Sequence, residues 1–197
     1  MEYRFINETD NLEGIGELLF ITDPYIYPNY FGNVENAEIV INEAIRRSLY
    51  CFKYENIFCA FNDNKPVAFL VTNKNGQNKW IKEDWDLLLN ELDIEKTYYS
   101  KVVEDNYFLA MNEEELRNST YILAVSVLEE YRGRGIASTI LEEYMKSCDD
   151  TLVLDCLEDN TIAIHLYKKF GFKVIEHYIG FNVSEPYPKC VRMMKSR

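Results

Sequence analysis

The spacing of apolar residues predicts alternating strands and helices along the chain. The first strand is predicted at residues 3–6, and two helices follow it, one opened by Thr9 or Asp10 and one at about residues 36–51. Apolar residues recur at helical spacing in both helices: Leu12, Ile15, Leu18 and Leu19 in the first, and Ile39, Ala44, Ile45 and Leu49 in the second. Residues 22–32 contain two prolines and four aromatic rings, so we expect an ordered loop there.

The rest of the chain is predicted to be a hairpin followed by further strands and helices. Apolar runs at residues 57–61 and 67–71 flank a short polar connection, which is typical of a β-hairpin. Later elements are predicted as strands at 121–127, 152–157, 172–181 and 189–194, and as helices at 133–148 and 160–170. This alternation predicts an α/β layered fold. Because the chain has no internal repeat and no linker, we expect one domain.

Acidic residues strongly outnumber basic ones. The 197 residues include 33 Asp and Glu against 21 Lys and Arg, a net charge of −12. Because nucleic-acid affinity comes mainly from Lys and Arg on phosphates, this balance argues against a nucleic-acid partner and favours cationic partners. No apolar run approaches the roughly 18 residues that span a bilayer, and the first residues lack the apolar region of a signal peptide. We therefore expect a soluble, cytoplasmic protein with no membrane partner.

Most of the net charge lies between Glu83 and Glu115. This segment holds eleven acidic and two basic residues, a net charge of −9. Apolar residues in and beside it recur at helical spacing: Trp80, Trp85, Leu88, Leu89 and Leu92. One interpretation is the solvated face of a helical insertion. The other is a negative surface that attracts a cationic substrate.

Cysteine and histidine spacings do not indicate a metal site. The chain has no Cys-x-x-Cys pair among its five cysteines: Cys51, Cys59, Cys148, Cys156 and Cys190. Its two histidines, His165 and His177, belong to no metal-binding spacing. We expect buried, reduced thiols and no bound metal.

A glycine-containing turn follows the predicted strand at residues 121–127. The turn is Arg132, Gly133, Arg134, Gly135, Ile136 and Ala137, and it opens a helix. Two glycines let the backbone approach a ligand and direct several N–H groups at one point, and a helix N-terminus adds positive partial charge. The pattern is therefore suited to a phosphate or pyrophosphate. Taken alone, it also fits an ordinary strand-to-helix turn.

A second pattern, Asn-x-x-Ala-x-x-Leu-Tyr-x-x-x-Gly-Phe, runs from Asn160 to Phe172. Together with the turn, it resembles the GNAT superfamily of acetyl-CoA-dependent N-acetyltransferases. The resemblance implies an α/β (α+β) fold with a mixed, mostly antiparallel central sheet of about seven strands flanked by helices. The fourth and fifth strands would splay apart. Residues 1–197 would form a single GNAT domain with an acidic helical insertion at about 73–117. The chain departs from the family pattern at Glu129, where many members carry a proline.

The resemblance also implies which residues bind acetyl-CoA. Main-chain groups of Val125, Ser126 and Val127 would hold the acetyl-pantetheine end, and an N–H near Val127 would stabilise the oxyanion. The six residues 132–137 of the turn would wrap the pyrophosphate. Asn160 would contact the coenzyme and would also cap its helix.

Tyr167 and Asp155 are the catalytic candidates that follow from the resemblance. Tyr167 matches the tyrosine that protonates the departing thiolate, although a buried helical tyrosine is the alternative. Asp155 occupies the strand position of a family glutamate that relays the amine's proton through water, although it could instead be an electrostatic or structural carboxylate. Lesser candidates are residues of the acidic segment and of the aromatic loop: Glu113, Glu114, Glu115, Tyr25, Tyr27 and Tyr30.

The function implied by the resemblance is transfer of acetyl from acetyl-CoA directly to a primary amine. The acceptor would be a cationic small molecule or an amino group of a peptide or protein. The alternative is a non-catalytic acyl-CoA-binding or interaction module. Homodimers are common in the family, and the sequence identifies no interface for one.

Overall fold

One mixed sheet organises the part of the chain that the structure describes. The computed structural model describes residues 1–74, 81–94, 119–179 and 189–197. Its strands are β1 (Glu2–Phe5), β2 (Ile57–Asn62), β3 (Lys65–Lys74), β4 (Ser119–Val127), β5 (Thr151–Leu157), β6 (Lys173–Ile179) and β7 (Lys189–Lys195). Their order is β1-β2-β3-β4-β5-β7-β6, with β4 and β5 parallel and every other neighbouring pair antiparallel. The predicted mixed, mostly antiparallel seven-stranded sheet is confirmed.

Helices cover both faces of this sheet. Those in the described ranges are α1 (Ile15–Phe20), α2 (Tyr27–Phe31), α3 (Val34–Arg46), α4 (Lys82–Glu91), α5 (Ile136–Lys146) and α6 (Thr161–Lys169). Side chains of successive β3 residues pack into different hydrophobic clusters, because side chains along a strand point alternately to the two faces of the sheet. Phe69 clusters with residues of α1, α3 and α4, whereas Leu70 clusters with residues of α5 and α6.

The first helix begins later than its sequence predicts. Neither Thr9 nor Asp10 opens α1, because the Asp10 carboxylate accepts hydrogen bonds from the Arg4 guanidinium and from the Asn7 N–H. Gly14 precedes α1 in a left-handed conformation, with φ +95°. The N–H groups at this end are satisfied from another helix, since the carboxylate of Glu38 on α3 accepts from the main chain of residues 14 and 17.

Three details of the next segment also differ from the sequence prediction. The aromatic loop contains a short helix, α2, because Asp23 accepts hydrogen bonds from the N–H groups of Tyr25 and Ile26 just ahead of it. Helix α3 begins at Val34 after the cap residue Asn33, and Ile39, predicted on its inner face, is 50% exposed. The predicted hairpin of β2 and β3 is confirmed.

Gly16 sets the closest approach between α1 and α3. A Cβ atom at Gly16 would lie 2.3 Å from the Glu38 Cα, a contact that only a shift of the backbone could relieve. We expect Gly16→Ala to lower the free energy of unfolding by about 1–3 kcal/mol, the usual cost of overpacking. Urea unfolding followed by circular dichroism measures this change. Glu17→Ala on the same helix is the control, and equal stability of the two variants would contradict this packing.

The acidic segment is described only in part. Helix α4 lies within it, and Trp85 and Leu88 of that helix are buried in the core with α1 and α3. Trp80 and Glu113, Glu114 and Glu115 lie outside the described residues. The single domain and the insertion at about 73–117 therefore stay predictions. No helix in the described ranges is long and apolar enough to span a membrane.

Candidate active site

β4 and β5 separate part-way along their length. Only residues 119–122 of β4 pair with β5, in register with residues 151–154. A bulge accompanies the separation, because Val71 of β3 pairs with Ala124 while Thr72 pairs with Ile122, which leaves Leu123 as the extra residue. β5 continues beyond this point and pairs with β7 through Leu157. The predicted splay between the fourth and fifth strands is confirmed.

Beyond the bulge, the main-chain N–H and C=O groups of successive β4 residues point alternately towards β3 and towards the gap beside β5. The Leu128 N–H donates to the Val67 carbonyl, so that pair is a hydrogen-bonded one. In an antiparallel pair such pairs alternate, so Ser126 bonds to β3 while Val125 and Val127 direct their N–H and C=O groups into the gap beside β5. The Val127 carbonyl accepts a hydrogen bond from Arg132 Nε at 3.0 Å, which agrees with this assignment.

The turn after β4 has the backbone geometry of a ligand cradle. Gly133 and Gly135 adopt φ +75° and φ +78°, conformations that residues with a Cβ rarely adopt. No atom lies within 4 Å of the Cβ position at either glycine. The backbone of the turn is therefore open to close approach by a ligand.

The N-terminus of α5 faces this turn without a capping side chain. Gly135 is its cap residue, no side chain accepts a hydrogen bond there, and no acidic residue occupies the first turn. The first N–H groups of a helix lack partners within the helix, and they carry positive partial charge. The start of α5 at Ile136 and Ala137 therefore offers donors to an anion.

Both arginines of the turn lie on its exposed side and contact the main chain. Arg134 Nη2 donates to the Glu130 carbonyl at 2.8 Å, and its guanidinium lies 5.2 Å from the centre of the Tyr131 ring. Arg132 contacts Val127 as described above. Direct pairing of either arginine with a phosphate stays a prediction.

Tyr167 is buried where α6 packs beside the free part of β5. It is 8% exposed, and its ring lies 5.7 Å from that of Phe172. Burial raises the pKa of Tyr167 well above its ordinary value, and the nearby Cys156 of β5 adds to the shift. The phenol is therefore neutral at physiological pH. Asn160 caps α6 by accepting a hydrogen bond from the Ala163 N–H at 3.1 Å, which confirms its predicted cap role.

Asp155 is the first residue of β5 beyond the pairing with β4, and it is held by several donors. Arg192 of β7 donates to it from Nε at 3.0 Å and from Nη2 at 3.3 Å. The Tyr121 hydroxyl of β4 donates to its Oδ2 at 2.9 Å, and Tyr178 of β6 also hydrogen-bonds to it. Asp155 and Cys156 point to opposite faces of the sheet. The carboxylate and the Tyr167 phenol therefore lie on opposite faces, at the point where the strands separate.

Tyr121 and Arg192 are site residues that the sequence reasoning missed. Arg192 is only 6% exposed and alternates with the buried Val191 and Met193 of β7. A charged residue within an apolar strand was the available signal, because a buried charge needs a partner. The partner itself depends on β7 lying beside β5.

The aromatic loop contributes mainly to the core. Tyr30 is buried in the core with α1 and α3, and the Tyr27 ring packs against the same cluster. Burial also raises the pKa of Tyr27 well above its ordinary value, with a smaller contribution from Asp23. These contacts favour a sealing role for both rings. All five cysteines are free thiols, as predicted, but only Cys51 and Cys59 are buried as expected, whereas Cys148, Cys156 and Cys190 are partly exposed.

The sequence model of the acetyltransferase (GNAT) family matches residues 27–172. This chain belongs to that family. The GNAT match includes the separated strands, the glycine turn and Tyr167, and the same fold recurs in solved structures. An N-acetyltransferase from Staphylococcus aureus Mu50 superimposes with a TM-score of 0.72 at 18% identity, over 99% of this chain and 100% of the other.

Relatives within the GNAT family include proteins that acetylate α-amino groups by name. An N-alpha-acetyltransferase of Saccharolobus solfataricus is 38% identical over 66 residues, which make up 31% of this chain and 40% of that protein. Arabidopsis thaliana Naa50, solved with the bisubstrate analogue CoA-Ac-MVNAL, superimposes with a TM-score of 0.57 at 19% identity, over 100% of this chain and 98% of the other. The alignments cover less than half the length of the curated relatives.

Proposed function

We propose that this protein transfers the acetyl group of acetyl-CoA directly to a primary amine. The observation that carries the proposal is that backbone groups of β4 facing the gap are followed closely by an uncapped helix start. Backbone groups of Val125 and Val127 face the gap between β4 and β5, and the uncapped start of α5 follows within ten residues. The first part suits an extended amide-containing arm, and the second suits a pyrophosphate. Few ligands other than an acyl-CoA combine the two.

Different residues of this chain bind different parts of the coenzyme. Residues 132–137 hold the pyrophosphate, and Asn160 contacts the coenzyme near the start of α6. Val125, Ser126 and Val127 line the acetyl-pantetheine end, with the main-chain groups of Val125 and Val127 as the direct donors and acceptors. The Val127 N–H polarises the thioester carbonyl and stabilises the oxyanion, a contribution of about 3 kcal/mol where such a donor is preorganised.

In the proposed reaction Tyr167 donates a proton and Asp155 accepts one. A neutral amine attacks the thioester carbon, the new C–N bond forms, and the C–S bond breaks. Tyr167 donates its proton to the departing thiolate, for which a neutral phenol is required. The proton lost by the amine passes towards Asp155 through water or through the Tyr121 hydroxyl, which bridges to that carboxylate. Asp155 then releases that proton to solvent, and Tyr167 regains one from solvent. Because the amine attacks the thioester carbon directly, no covalent enzyme intermediate forms.

The acceptor is a cationic small molecule or an amino group of a peptide or protein. The names of the relatives support α-amino groups of peptides as the first class to examine. The net charge of −12 supports a cationic acceptor, because negative surfaces raise the local concentration of cations. We further infer a cytoplasmic location from the five free thiols, which suit a reducing compartment. Homodimer formation stays a prediction.

Salt dependence tests the role of the acidic surface. If negative charge attracts the acceptor, raising ionic strength from about 0.01 M to about 0.15 M shortens the screening length from about 30 Å to about 8 Å and raises the acceptor KM several-fold. Neutral replacements of Glu113, Glu114 and Glu115 are expected to raise KM at low salt in the same way. Steady-state kinetics with a cationic and a neutral acceptor measure both effects. If KM depends on salt equally for the two acceptors, the acidic segment does not attract the acceptor and is interpreted as a solvated helical face.

Release of coenzyme thiol in the presence of an amine panel tests the proposed activity. The panel contains polyamines, aminoglycosides and short peptides with free α-amino groups, with their N-blocked forms as controls. We expect thiol release with at least one free amine and none with its blocked form. Tight acetyl-CoA binding by calorimetry with no release for any amine would instead indicate the non-catalytic acyl-CoA-binding module.

A further inference from the structure

The loop between α1 and α2 carries a partly buried carboxylate, Asp23. Helix α1 packs against β3 and β4, and the hydrophobic cluster that holds its buried residues also contains Ala124 and Leu128. Both lie beyond residue 122, where β4 has already separated from β5. The loop that follows α1 therefore lies on this face of the sheet, near the separation.

The thiol of Cys190 shows which part of the sheet Asp23 approaches. Cys190 of β7 pairs with Leu157, the last residue of β5, and with Tyr178 of β6. Burial raises the pKa of the Cys190 thiol to about 11, and the charges of Asp155 and then Asp23 add to this rise. A carboxylate raises the pKa of a thiol only when the two groups are close. Asp23 and Asp155 therefore approach the same end of β5, one from the loop and one from the sheet.

The two carboxylates differ in what balances their charge. Asp155 is paired with the Arg192 guanidinium through two hydrogen bonds. Asp23 accepts two hydrogen bonds at Oδ1, from the N–H groups of Tyr25 at 2.8 Å and Ile26 at 3.0 Å. Within the residues that the structure describes, Asp23 has no Lys or Arg as an ion-pair partner. Burial consequently raises the pKa of Asp23 above its ordinary value.

A carboxylate in this position is suited to a cation that arrives with the substrate. A desolvated charge without a counter-ion is costly, and a bound cation removes that cost. The reacting amine is not this cation, because it must be neutral to attack the thioester and becomes a neutral amide. A second positive group on the acceptor stays charged throughout the reaction. An ion pair with that group lowers KM and leaves kcat unchanged, because it is equally strong before and during the reaction.

We propose that Asp23 is a specificity-determining residue that binds a second positive group of the acceptor, so that the preferred acceptor is an amine with a further cationic group. The assignment rests on the proposed function, because it places an acceptor at the same gap. Both loop N–H groups bond to Oδ1, so Oδ2 is the atom that makes the ion pair. A diamine and a peptide with a lysine side chain both carry such a group.

Pairs of acceptors that differ in one charge test this role. Putrescine is compared with pentylamine, which has a methyl group in place of the second amine, and alanyl-lysine amide is compared with alanyl-norleucine amide. We expect kcat/KM to be about 10- to 100-fold higher for the charged member of at least one pair, the usual effect of a hydrogen-bonded charge. Asp23→Asn is expected to remove most of this preference by raising KM, with kcat and acetyl-CoA affinity kept. Asparagine can still accept both loop N–H bonds, so the fold is retained.

Asp93→Asn is the matched control. Asp93 is an exposed carboxylate just after α4, and its φ of +54° is a conformation that asparagine tolerates. The substitution removes the same unit of charge from the acidic segment, so it reports any general effect of surface charge. At about 0.15 M ionic strength, where the screening length is about 8 Å, we expect the preference to stay within about two-fold of the wild-type value. If Asp23→Asn does not fold, Asp23→Ser replaces it, because the serine hydroxyl can also accept the loop N–H bonds.

The outcomes separate this assignment from the proposed function. Wild-type protein that acetylates no amine refutes the proposed function. Acetylation with no preference for the charged member of either pair overturns the role of Asp23, while the proposed function stands. A preference that persists in folded Asp23→Asn, or that Asp93→Asn abolishes equally, also overturns it. Loss of preference in Asp23→Asn supports the role, with a small-molecule acceptor if the diamine pair shows it and a peptide acceptor if the dipeptide pair shows it.

Discussion

Tyr167→Phe is expected to lower kcat by about 100- to 1,000-fold at neutral pH, within the usual contribution of a general acid. The phenol is buried beside β5 and is neutral, which the proposed general-acid role requires. Phenylalanine keeps the ring that packs against Phe172 and removes only the hydroxyl. We therefore expect stability and acetyl-CoA affinity close to the wild-type values. Thiol release under saturating acetyl-CoA and acceptor measures the change.

Tyr144→Phe is the control for this substitution. Tyr144 is a second buried tyrosine in the same core, on α5, and burial likewise raises its pKa above the ordinary value. Loss of its hydroxyl is expected to leave kcat within about two-fold, because the proposed reaction does not use Tyr144. Equal activity of Tyr167→Phe and the wild-type enzyme would refute the general-acid assignment.

The pH profile gives an independent expectation for Tyr167. Since burial raises its pKa, the protonated form persists above the ordinary tyrosine value of about 10. Activity should therefore show no loss of a general acid as the pH rises from 7 to about 10. An alkaline loss of kcat in that range that disappears in Tyr167→Phe would contradict the raised pKa.

Ser138→Asp should weaken acetyl-CoA binding while it leaves the fold intact or slightly more stable. Ser138 lies in the first turn of α5, where an acidic residue normally stabilises a helix by about 0.3–1 kcal/mol. A bound pyrophosphate at the same N-terminus would be repelled, and at about 5 Å and an effective dielectric constant of about 20 this repulsion costs about 3 kcal/mol. We expect the dissociation constant to rise about 100-fold, as measured by calorimetry at low salt.

Ser138→Asn separates the charge from the change of side chain. It is similar in size to aspartate and neutral, so it is expected to bind acetyl-CoA within a few-fold of the wild-type protein. Unchanged acetyl-CoA affinity in Ser138→Asp would place the pyrophosphate elsewhere, whatever the effect of the substitution on stability. Because Ser138→Asp is expected to keep or raise stability while it lowers acetyl-CoA affinity, its binding defect is distinguished from a folding defect.

The geometry of the glycine turn and of the helix start after it was predictable, because the residues that form them are local in sequence. The turn needs glycines at 133 and 135 and a helix start directly after them, and both are properties of one short segment. The cap at Asn160 is equally local, since it depends on a residue three positions away. The sheet and its splay followed from the resemblance, and the bulge at Leu123 is the structural feature that accompanies the splay.

The start of α1 was not predictable, because its partners are distant in sequence. Asp10 is a good cap residue, yet it bonds to Arg4 on β1. The N–H groups of α1 are met by Glu38 on α3, more than twenty residues away. Local propensity therefore placed the helix boundary several residues too early.

The surroundings of Asp155 depend on strand order rather than on local pattern. Arg192 reaches it only because β7 lies between β5 and β6, and Tyr121 reaches it only because β4 and β5 are parallel up to residue 122. From the sequence alone Asp155 was a candidate for a water-mediated relay or for a structural carboxylate. The observed contacts connect it to Tyr121 and leave its catalytic role as a proposal.

The most direct measurement is the mass of the acceptor after incubation with acetyl-CoA, followed together with thiol release. We predict that an accepting amine gains one acetyl group for each thiol released, and that the Tyr167→Phe protein binds acetyl-CoA but makes product at least about 100-fold more slowly. Acetyl-CoA binding without acetylation of any amine in the panel, or thiol release without an acetylated acceptor, would contradict the proposed transfer.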